Sequence, residues 1–444
     1  MGSAVASRWK PYPEYKSIQH AGIEKIPNHW DSNRMRYVFR ERGEVSEDGT
    51  EELLSVSKYT GVKVRSTTTD REARAASLVG YKKCEPNDIV SNIMLAWDSA
   101  LGVAFDSGIV SSAYEVYVPQ QEIDPHFLDL LLRTPEYRVA FTIVSKGIVP
   151  SRWRMYTESF NDIQMILPSL SEQKQIGNFV HMINQNISGN IKNLETQISL
   201  LDEKRSAIIT QAVTKGLNPD VPMKDTGLDW YPEVPAHWEL RRVKHIATIR
   251  PSNVDKKKYD GQEEVRLANY VDVYKNDQIT NDLELMVATA AEHEIAKFSL
   301  LAGDFIITKD SETWDDIAVP AFVPKTMEGV VCGYHLTLIR PNRKYVLGEF
   351  LFRTYQAIGV QDQYHYNANG VTRYGLGSYW VDNGIVPVPP LNEQHEIAEY
   401  IDNQLGIMEM VREKTESEIE RFKEYRTALI SAAVTGKIDV RGLA

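Results

Sequence analysis

Two stretches of the chain repeat apolar residues at alternating steps of three and four positions, which is the spacing of one face of an α-helix. In the first stretch the apolar positions are Ile176, Val180, Ile183, Ile187, Ile191, Leu194, Ile198 and Leu201. In the second they are Ile397, Ile401, Met408, Ile419, Phe422 and Leu429, with interruptions at Gln404, Arg412 and Thr415. We therefore predict two helices of roughly 45 residues that pair as an antiparallel coiled coil. A pair of ordinary core helices is the alternative.

Similar residues mark where both predicted helices begin. Ser171 and Asn392 are expected as N-caps, because their side chains can accept hydrogen bonds from the free backbone N–H groups of the first turn. Glu172 and Glu393 follow at once, near the positive end of the helix dipole. The two helices are therefore expected to start in the same way.

The rest of the chain is patterned as short β-rich runs separated by Gly, Pro, Asn and Asp. Strands are predicted at residues 53–56, 88–94, 113–118, 304–308 and 336–339, and short helices at 128–132 and 350–352. The predicted fold class is α+β. Two similar α/β domains alternate with two long helices that pair as an antiparallel coiled coil, with pseudo-twofold symmetry.

Two sequence motifs occur twice along the chain. Ile26-Pro27-Asn28-His29-Trp30 returns as Val234-Pro235-Ala236-His237-Trp238, and Leu170-Ser171-Glu172-Gln173 returns as Leu391-Asn392-Glu393-Gln394. Because self-similarity of this kind is typical of repeated structural units, we predict the order domain, helix, domain, helix. The predicted boundaries are 1–168, 169–217, 218–388 and 389–444.

Charge is distributed unevenly between these segments. The net charge of −11 does not favour nucleic acid, but attraction to DNA depends on local patches. Lys and Arg outnumber acids by six to two over residues 63–83, five to one over 133–154 and seven to one over 241–258. Residues 392–424 have the opposite balance, with ten acids and four bases. We predict that the two domains contact DNA and that the second helix faces another protein.

Three segments combine charge with side chains that can read base edges. They are residues 147–154, whose arginines could pair bidentately with guanine, residues 308–311 after a predicted strand, and residues 369–375. With the neighbouring basic positions, the candidate DNA-contacting residues are Lys63, Arg65, Thr67, Thr68, Arg71, Ser151, Arg152, Trp153, Arg154, Lys256, Lys257, Lys258, Lys309, Asp310, Ser311, Thr372, Arg373 and Tyr374.

Motifs for catalysis are missing from the sequence. There is no G-x-x-x-x-G-K-[ST] loop and no G-x-G-x-x-G at a strand–helix junction, and Asn218-Pro219-Asp220-Val221 does not match a methyltransferase box. Cys84 and Cys332 have no partners at metal-ligand spacing. We therefore expect no catalytic residue and no metal site. Without a run of about eighteen apolar residues, a cytoplasmic protein with no membrane contact is expected.

The order of these motifs resembles the specificity subunits of type I restriction-modification systems, and the resemblance covers the whole chain. Beside the repeated motifs, it is carried by Leu53-Leu54-Ser55-Val56-Ser57, Ser151-Arg152-Trp153-Arg154, Thr308-Lys309-Asp310-Ser311 and Gly370-Val371-Thr372-Arg373-Tyr374-Gly375. It implies that each domain is a target-recognition domain reading one half of a bipartite, asymmetric sequence in double-stranded DNA. It also implies that the helices are spacers that set the distance between the half-sites.

The resemblance implies protein partners in phage defence as well. Two DNA methyltransferase subunits would dock on the spacer helices, to which we assign Gln173, Ile176, Gln394 and Ile397, and restriction/translocase subunits would join them. S-adenosylmethionine, ATP and Mg²⁺ would bind these partners, so this chain is expected to bind no cofactor. A coiled-coil scaffold without DNA readout is one alternative, against which the basic patches count. A stand-alone DNA methyltransferase or nuclease is the other, against which the missing motifs count.

Overall fold

The computed structural model describes residues 9–65, 77–149 and 152–443. It divides into two compact units. Unit 1 runs to Leu194 and resumes at Glu416, and unit 2 is Glu195–Thr415. Each unit therefore contains one domain, the first half of the long helix that follows it and the second half of the other long helix.

Unit 1 contains a four-stranded antiparallel sheet with Tyr114–Pro119 and Ile89–Asn92 in its centre and Phe39–Glu41 and Leu101–Val103 at its edges. Its other strands are Tyr15–His20, Ile23–Pro27, Asp31–Arg34, Leu54–Ser57, Gly61–Val64, Lys82–Cys84, Gly108–Val110 and Gln164–Leu167. Its short α-helices are Pro125–Leu132, Pro135–Val144 and Thr157–Asn161.

The first two of these helices begin where local chemistry favours a helix start. The side chains of Asp124 and Thr134 cap them, by accepting the backbone N–H of Phe127 and of Tyr137 respectively. A proline follows each cap, at the first helical position, where the missing N–H costs no hydrogen bond.

Unit 2 repeats this sheet. Leu336–Pro341 and Phe305–Thr308 form its centre, and Ala247–Pro251 and Pro320–Phe322 form its edges. The other strands are Met223–Asp225, Glu233–Pro235, Glu239–Arg242, Glu263–Ala268, Met286–Ala290, Asp310–Ser311, Val330–Cys332, Tyr374–Gly375 and Ile385–Val388. The short α-helices are Tyr270–Lys275, Glu292–Phe298, Gly348–Tyr355, Ile358–His365 and Ser378–Asn383.

Unit 2 also contains a three-stranded sheet that has no counterpart among the described residues of unit 1. In it Glu263–Ala268 pairs antiparallel with Met286–Ala290 and parallel with Val330–Cys332. This sheet covers a separate core that includes Leu267, Phe298 and Val331. The two units therefore share their central sheet and differ in the segments built around it.

The two predicted long helices are present, as Leu170–Lys215 (long helix 1) and Leu391–Val434 (long helix 2). They start two residues earlier than N-caps at Ser171 and Asn392 imply, so the assignment of these residues as caps is wrong. Ser169 Oγ instead accepts the backbone N–H of Glu172 at 3.3 Å. The same position in the second copy is Pro390, which has no side-chain acceptor.

The long helices pack side by side within each unit, and the start of one lies against the end of the other. In unit 1, Ile176 and Val180 share a core with Leu429 and Ala433. In unit 2, Ile209, Val213, Ile397 and Ile401 do the same, and Arg412 forms an ion pair with Asp202. This antiparallel pairing confirms the predicted α+β fold with two paired helices.

None of the described helices is long and apolar enough to cross a membrane.

Candidate nucleic-acid interface

A buried glutamate at the start of long helix 1 joins this helix to the domain before it. Glu172 Oε1 accepts the indole N–H of Trp30 at 3.1 Å and the hydroxyl of Tyr12 at 2.7 Å. His29 Nε2 lies 2.9 Å from the other carboxylate oxygen. The repeated His-Trp and Glu-Gln motifs are therefore in contact in the structure, although about 140 residues separate them.

Unit 2 repeats the same arrangement. Glu393 accepts the indole N–H of Trp238 at 3.0 Å, and His237 Nε2 lies 2.8 Å from its second oxygen. Each tryptophan also lies against the glycine that ends the other long helix, Gly216 beside Trp238 and Gly436 beside Trp30. Both glycines have φ near +75°, a conformation in which a side chain would be strained. The twin motifs therefore fix each domain to both long helices.

The four residues that we assigned to partner contact do not lie on the surface, and this assignment is corrected. Ile176 and Ile397 are fully buried in the cores of their own units. Gln173 accepts the backbone N–H of Asp124 and donates to the carbonyl of Pro168. Gln394 is equally buried and uses its amide for backbone groups in the same way. These glutamines satisfy buried backbone polar groups and leave nothing for a partner to bind.

Two of the predicted DNA-reading segments form equivalent loops. Loop 1 (residues 146–154) is closed by a reciprocal pair of backbone hydrogen bonds of 2.9 Å between Lys146 and Arg154. Loop 2 (residues 369–375) is closed by the same kind of pair between Asn369 and Gly375, at 3.1 and 2.9 Å. The residue after each loop then donates its N–H to the segment that follows a central strand, Met155 to Ile93 and Leu376 to Lys309. The two units therefore hold the same kind of loop at the same place.

Each loop carries an arginine that points to solvent. Arg152 and Arg373 are exposed, and neither guanidinium has a hydrogen-bond or ion-pair partner among the described residues. Arg154 is half-buried and donates to the carbonyl of Trp153 at 2.8 Å. Trp153 packs edge-on against Trp97, with ring centroids 5.4 Å apart. Ser151 lies outside the described residues.

The third predicted segment, residues 308–311, joins loop 2. Asp310–Ser311 pairs antiparallel with Tyr374–Gly375, so two segments about sixty residues apart form one surface. Of the three candidate residues in loop 2, Thr372 and Arg373 are exposed, while Tyr374 is half-buried.

Most polar groups of residues 308–311 already have partners within unit 2. Ser311 is buried and its hydroxyl lies 3.0 Å from that of Tyr270, so the prediction that it is presented to a ligand is wrong. Asp310 pairs with His335 at 2.6 Å. Lys309 lies over the ring of Tyr334, 5.2 Å from its centroid. Sequence pattern could not show these partners, because they come from distant strands.

The other basic candidates lie outside the two loops. Lys63 is exposed on the strand Gly61–Val64 and lines a cleft of about 620 Å³ with His126 and Lys174. Lys256, Lys257 and Lys258 are exposed after the edge strand Ala247–Pro251, and Lys258 forms an ion pair with Glu264. Arg65 is half-buried. Thr67, Thr68 and Arg71 lie outside the described residues.

Neither cysteine is placed for chemistry. Cys84 and Cys332 are both buried as free thiols, and burial raises the pKa of Cys84 to about 12 and that of Cys332 further. A thiol is nucleophilic only as its thiolate, which burial disfavours. Within the described ranges, no group of three His, Cys, Asp or Glu residues could hold a metal ion.

Each unit combines paired segments of the long helices with a domain that carries an exposed arginine loop. Comparison with known proteins places the chain beside DNA specificity proteins. The family model for the type I restriction modification DNA specificity domain matches residues 235–421. The putative type I restriction enzyme MjaX specificity subunit of Methanocaldococcus jannaschii is 24% identical over 343 residues, 72% of this chain and 70% of that protein. The MjaVIII specificity subunit of the same organism is 22% identical over 439 residues, 94% of this chain and 95% of that protein.

Solved structures share the fold. The HsdS subunit from Thermoanaerobacter tengcongensis superposes with a TM-score of 0.52 and 15% identity, over 93% of this chain and 98% of that one. A chain from a structural study of complex assembly and conformational transition of the type I R-M system gives 0.65 and 14%, over 93% and 99%. In sequence, the chain is similar to type I restriction enzyme specificity subunits, and the family model covers residues 235–421 of it.

Proposed function

We propose that each unit reads one half of a bipartite, asymmetric sequence in double-stranded DNA, and that the chain itself carries out no reaction. The observation that supports this most is the pair of equivalent loops, each with an exposed arginine that has no partner among the described residues, in two units that differ in the segments around their shared central sheet. Different surroundings for the same loop favour two different half-sites. S-adenosylmethionine, ATP and Mg²⁺ are assigned to partner subunits.

Arginine chemistry suits this role. A guanidinium can donate two parallel hydrogen bonds to O6 and N7 of guanine in the major groove. A guanidinium without an intramolecular partner gives up no hydrogen bond when it meets a base, so Arg152 and Arg373 fit direct readout better than Arg154 does. Lysines such as Lys256 and Lys257 are point charges that suit phosphate contacts, which position the protein without carrying sequence information.

Replacing Arg373 with alanine is expected to weaken reading of one half-site by about 1–3 kcal/mol, and Arg152→Ala should do the same for the other half-site. The measurement is binding of the full chain to a randomised duplex library, with sequencing of the bound fraction at fixed salt. Arg343→Ala is the matched control, because Arg343 is an exposed arginine of unit 2 that lies outside loop 2 and donates to the carbonyl of Ala302. Uniform weakening on every sequence would mean that Arg373 contacts phosphate and does not read a base.

We further propose that methyltransferase subunits dock on the outer face of long helix 2. Ile407, Met410 and Val411 are exposed at positions i, i+3 and i+4, so they form one apolar patch. Acidic residues such as Glu409 and Glu413 surround the patch. A patch of this type fits a partner helix with an apolar face and a basic rim, while its acids repel DNA. Tyr400 extends the same exposed face.

Met410→Asp is expected to abolish copurification of the chain with its methyltransferase and to lower methylation by at least about tenfold, because it places a charge in a desolvated contact. A separate measurement tests whether the chain is itself an enzyme: the purified chain with S-adenosylmethionine alone is expected to transfer no methyl group to DNA. Met286→Asp is the control, since Met286 is an exposed methionine on a strand of unit 2. Normal copurification of Met410→Asp, or methyl transfer by the chain alone, would contradict the corresponding part of the proposal.

A further inference from the structure

The tips of loop 1 and loop 2 each present an apolar, β-branched side chain to solvent. Ile148 is 94% exposed and Val371 is 98% exposed, the two highest values among the large apolar residues of the described chain. Single exposed apolar residues are common on protein surfaces. Here, however, the same kind of residue stands at the equivalent place in both units, which a chance exposure does not explain.

A glycine before each tip residue makes this presentation possible. A Cβ atom on Gly147 would overlap the carbonyl of Arg152, and a Cβ atom on Gly370 would overlap the carbonyl of Arg373. The two sides of each loop therefore approach so closely that only glycine fits, and the next residue is held outward. Exposure of Ile148 and Val371 follows from the backbone of the closed loop.

The tip residues are also suited to rigid contact. Val and Ile are restricted at χ1, so they lose little rotamer freedom when a ligand covers them. Arg152 and Arg373 lie on the opposite side of the same loops and carry the positive charge. The surface that meets each loop should therefore be anionic around a small apolar group.

In the major groove of DNA, the small apolar group that lies between two anionic phosphate backbones is the C5-methyl of thymine. Apolar side chains contact this methyl in direct readout, whereas the minor groove displays no methyl group. We infer that Ile148 and Val371 are specificity-determining residues, each contacting the C5-methyl of a thymine in the half-site read by its own unit. This inference rests on the proposed function and adds to it the base and the atom that each tip would read.

The test combines protein and DNA variants of the full chain. Library selection with wild type should return two half-sites, with a thymine preference in each. Val371→Ser removes both γ-methyl groups and leaves a hydroxyl, so no methyl group remains to contact thymine. It should abolish one thymine preference and leave the other half-site unchanged, while Ile148→Ser should show the reverse. Unchanged thermal unfolding of both variants checks that the exposed tips do not affect folding.

Uracil then probes the methyl group directly, because it pairs as thymine does and lacks only that group. Uracil at the position tied to Val371 should weaken wild-type binding about fourfold, the value for one buried methyl group, and should not weaken binding of Val371→Ser further. Equal losses in both proteins, or a variant that keeps the wild-type preferences, would overturn the inference while leaving two-part recognition intact. A wild-type chain that selects no sequence would overturn the proposed function as well.

Discussion

Replacing Asp304 with alanine is expected to lower the free energy of unfolding of unit 2 by about 3–5 kcal/mol, because it leaves a cation without its buried partner. The Asp304 side chain is 2% exposed and accepts from Arg340 through Nε at 2.9 Å and Nη2 at 2.7 Å. It also accepts the backbone N–H of Leu301 at 2.9 Å, which would lose its acceptor. Chemical denaturation of the full chain, followed by hydrogen exchange in each unit, measures the loss.

Two further variants bracket this prediction. Asp88 holds the equivalent position in unit 1, where it pairs with Arg42 at 2.7 Å, so Asp88→Ala should destabilise unit 1 by a similar amount. Glu264→Ala breaks the exposed ion pair with Lys258 and should cost less than about 1 kcal/mol. If Asp304→Ala unfolds no more easily than Glu264→Ala, the buried pair is not what stabilises the central sheet.

Lengthening both long helices by one heptad is expected to widen the gap between the two DNA half-sites by about three base pairs. Seven residues add about 10.5 Å at 1.5 Å per residue, against about 3.4 Å per base pair. Seven is the suitable number, because it keeps the apolar seam in register. Mapping methylated sites with the extended complex should show the same two half-sequences at the larger distance.

The structure decides where the insertion can be made. Residues near Thr210 are unsuitable, because Ile209 and Val213 lie in the core of unit 2. Insertion after Glu195 in long helix 1 and after Glu416 in long helix 2 falls at exposed positions where the two units divide. A seven-residue insertion at Asn218, beyond the end of long helix 1, is the control and should leave the gap unchanged. An active extended complex with the original gap would exclude a spacing role for the helices.

The sequence alone was sufficient for the elements whose signals are local or repeated. An apolar step of three and four predicts a helix wherever it continues, and both long helices are present, as Leu170–Lys215 and Leu391–Val434. The repeated motifs predicted two similar units, and their central sheets have the same strand order. The strand predicted at 304–308 is observed as Phe305–Thr308, since the buried run and its flanking turns are visible in the sequence.

Helix capping and the roles of buried polar residues were decided by packing. Ser171 has the right residue type for a cap, but the helix begins earlier because Ser169 provides the acceptor. Glutamine is usually a surface residue, but Gln173 and Gln394 are buried. Their side-chain amides form hydrogen bonds with backbone groups of the neighbouring domain that would otherwise be unpaired. Their burial depends on contacts about fifty residues away, which no local pattern contains.

Residue types could predict the chemistry of the candidate DNA surface, whereas only the tertiary structure decided which of those residues are available. The basic loops and their arginines were recognisable from the sequence, because charge and hydrogen-bonding capacity belong to each residue. Whether a residue is available to DNA depends on its neighbours in the fold. Ser311 is buried and its hydroxyl pairs with that of Tyr270, while Arg373 remains exposed. The pairing of Asp310–Ser311 with Tyr374–Gly375 involves only two residues on each side, too few for any periodic signal. Its position is set by the packing of the central sheet, which brings these distant segments together.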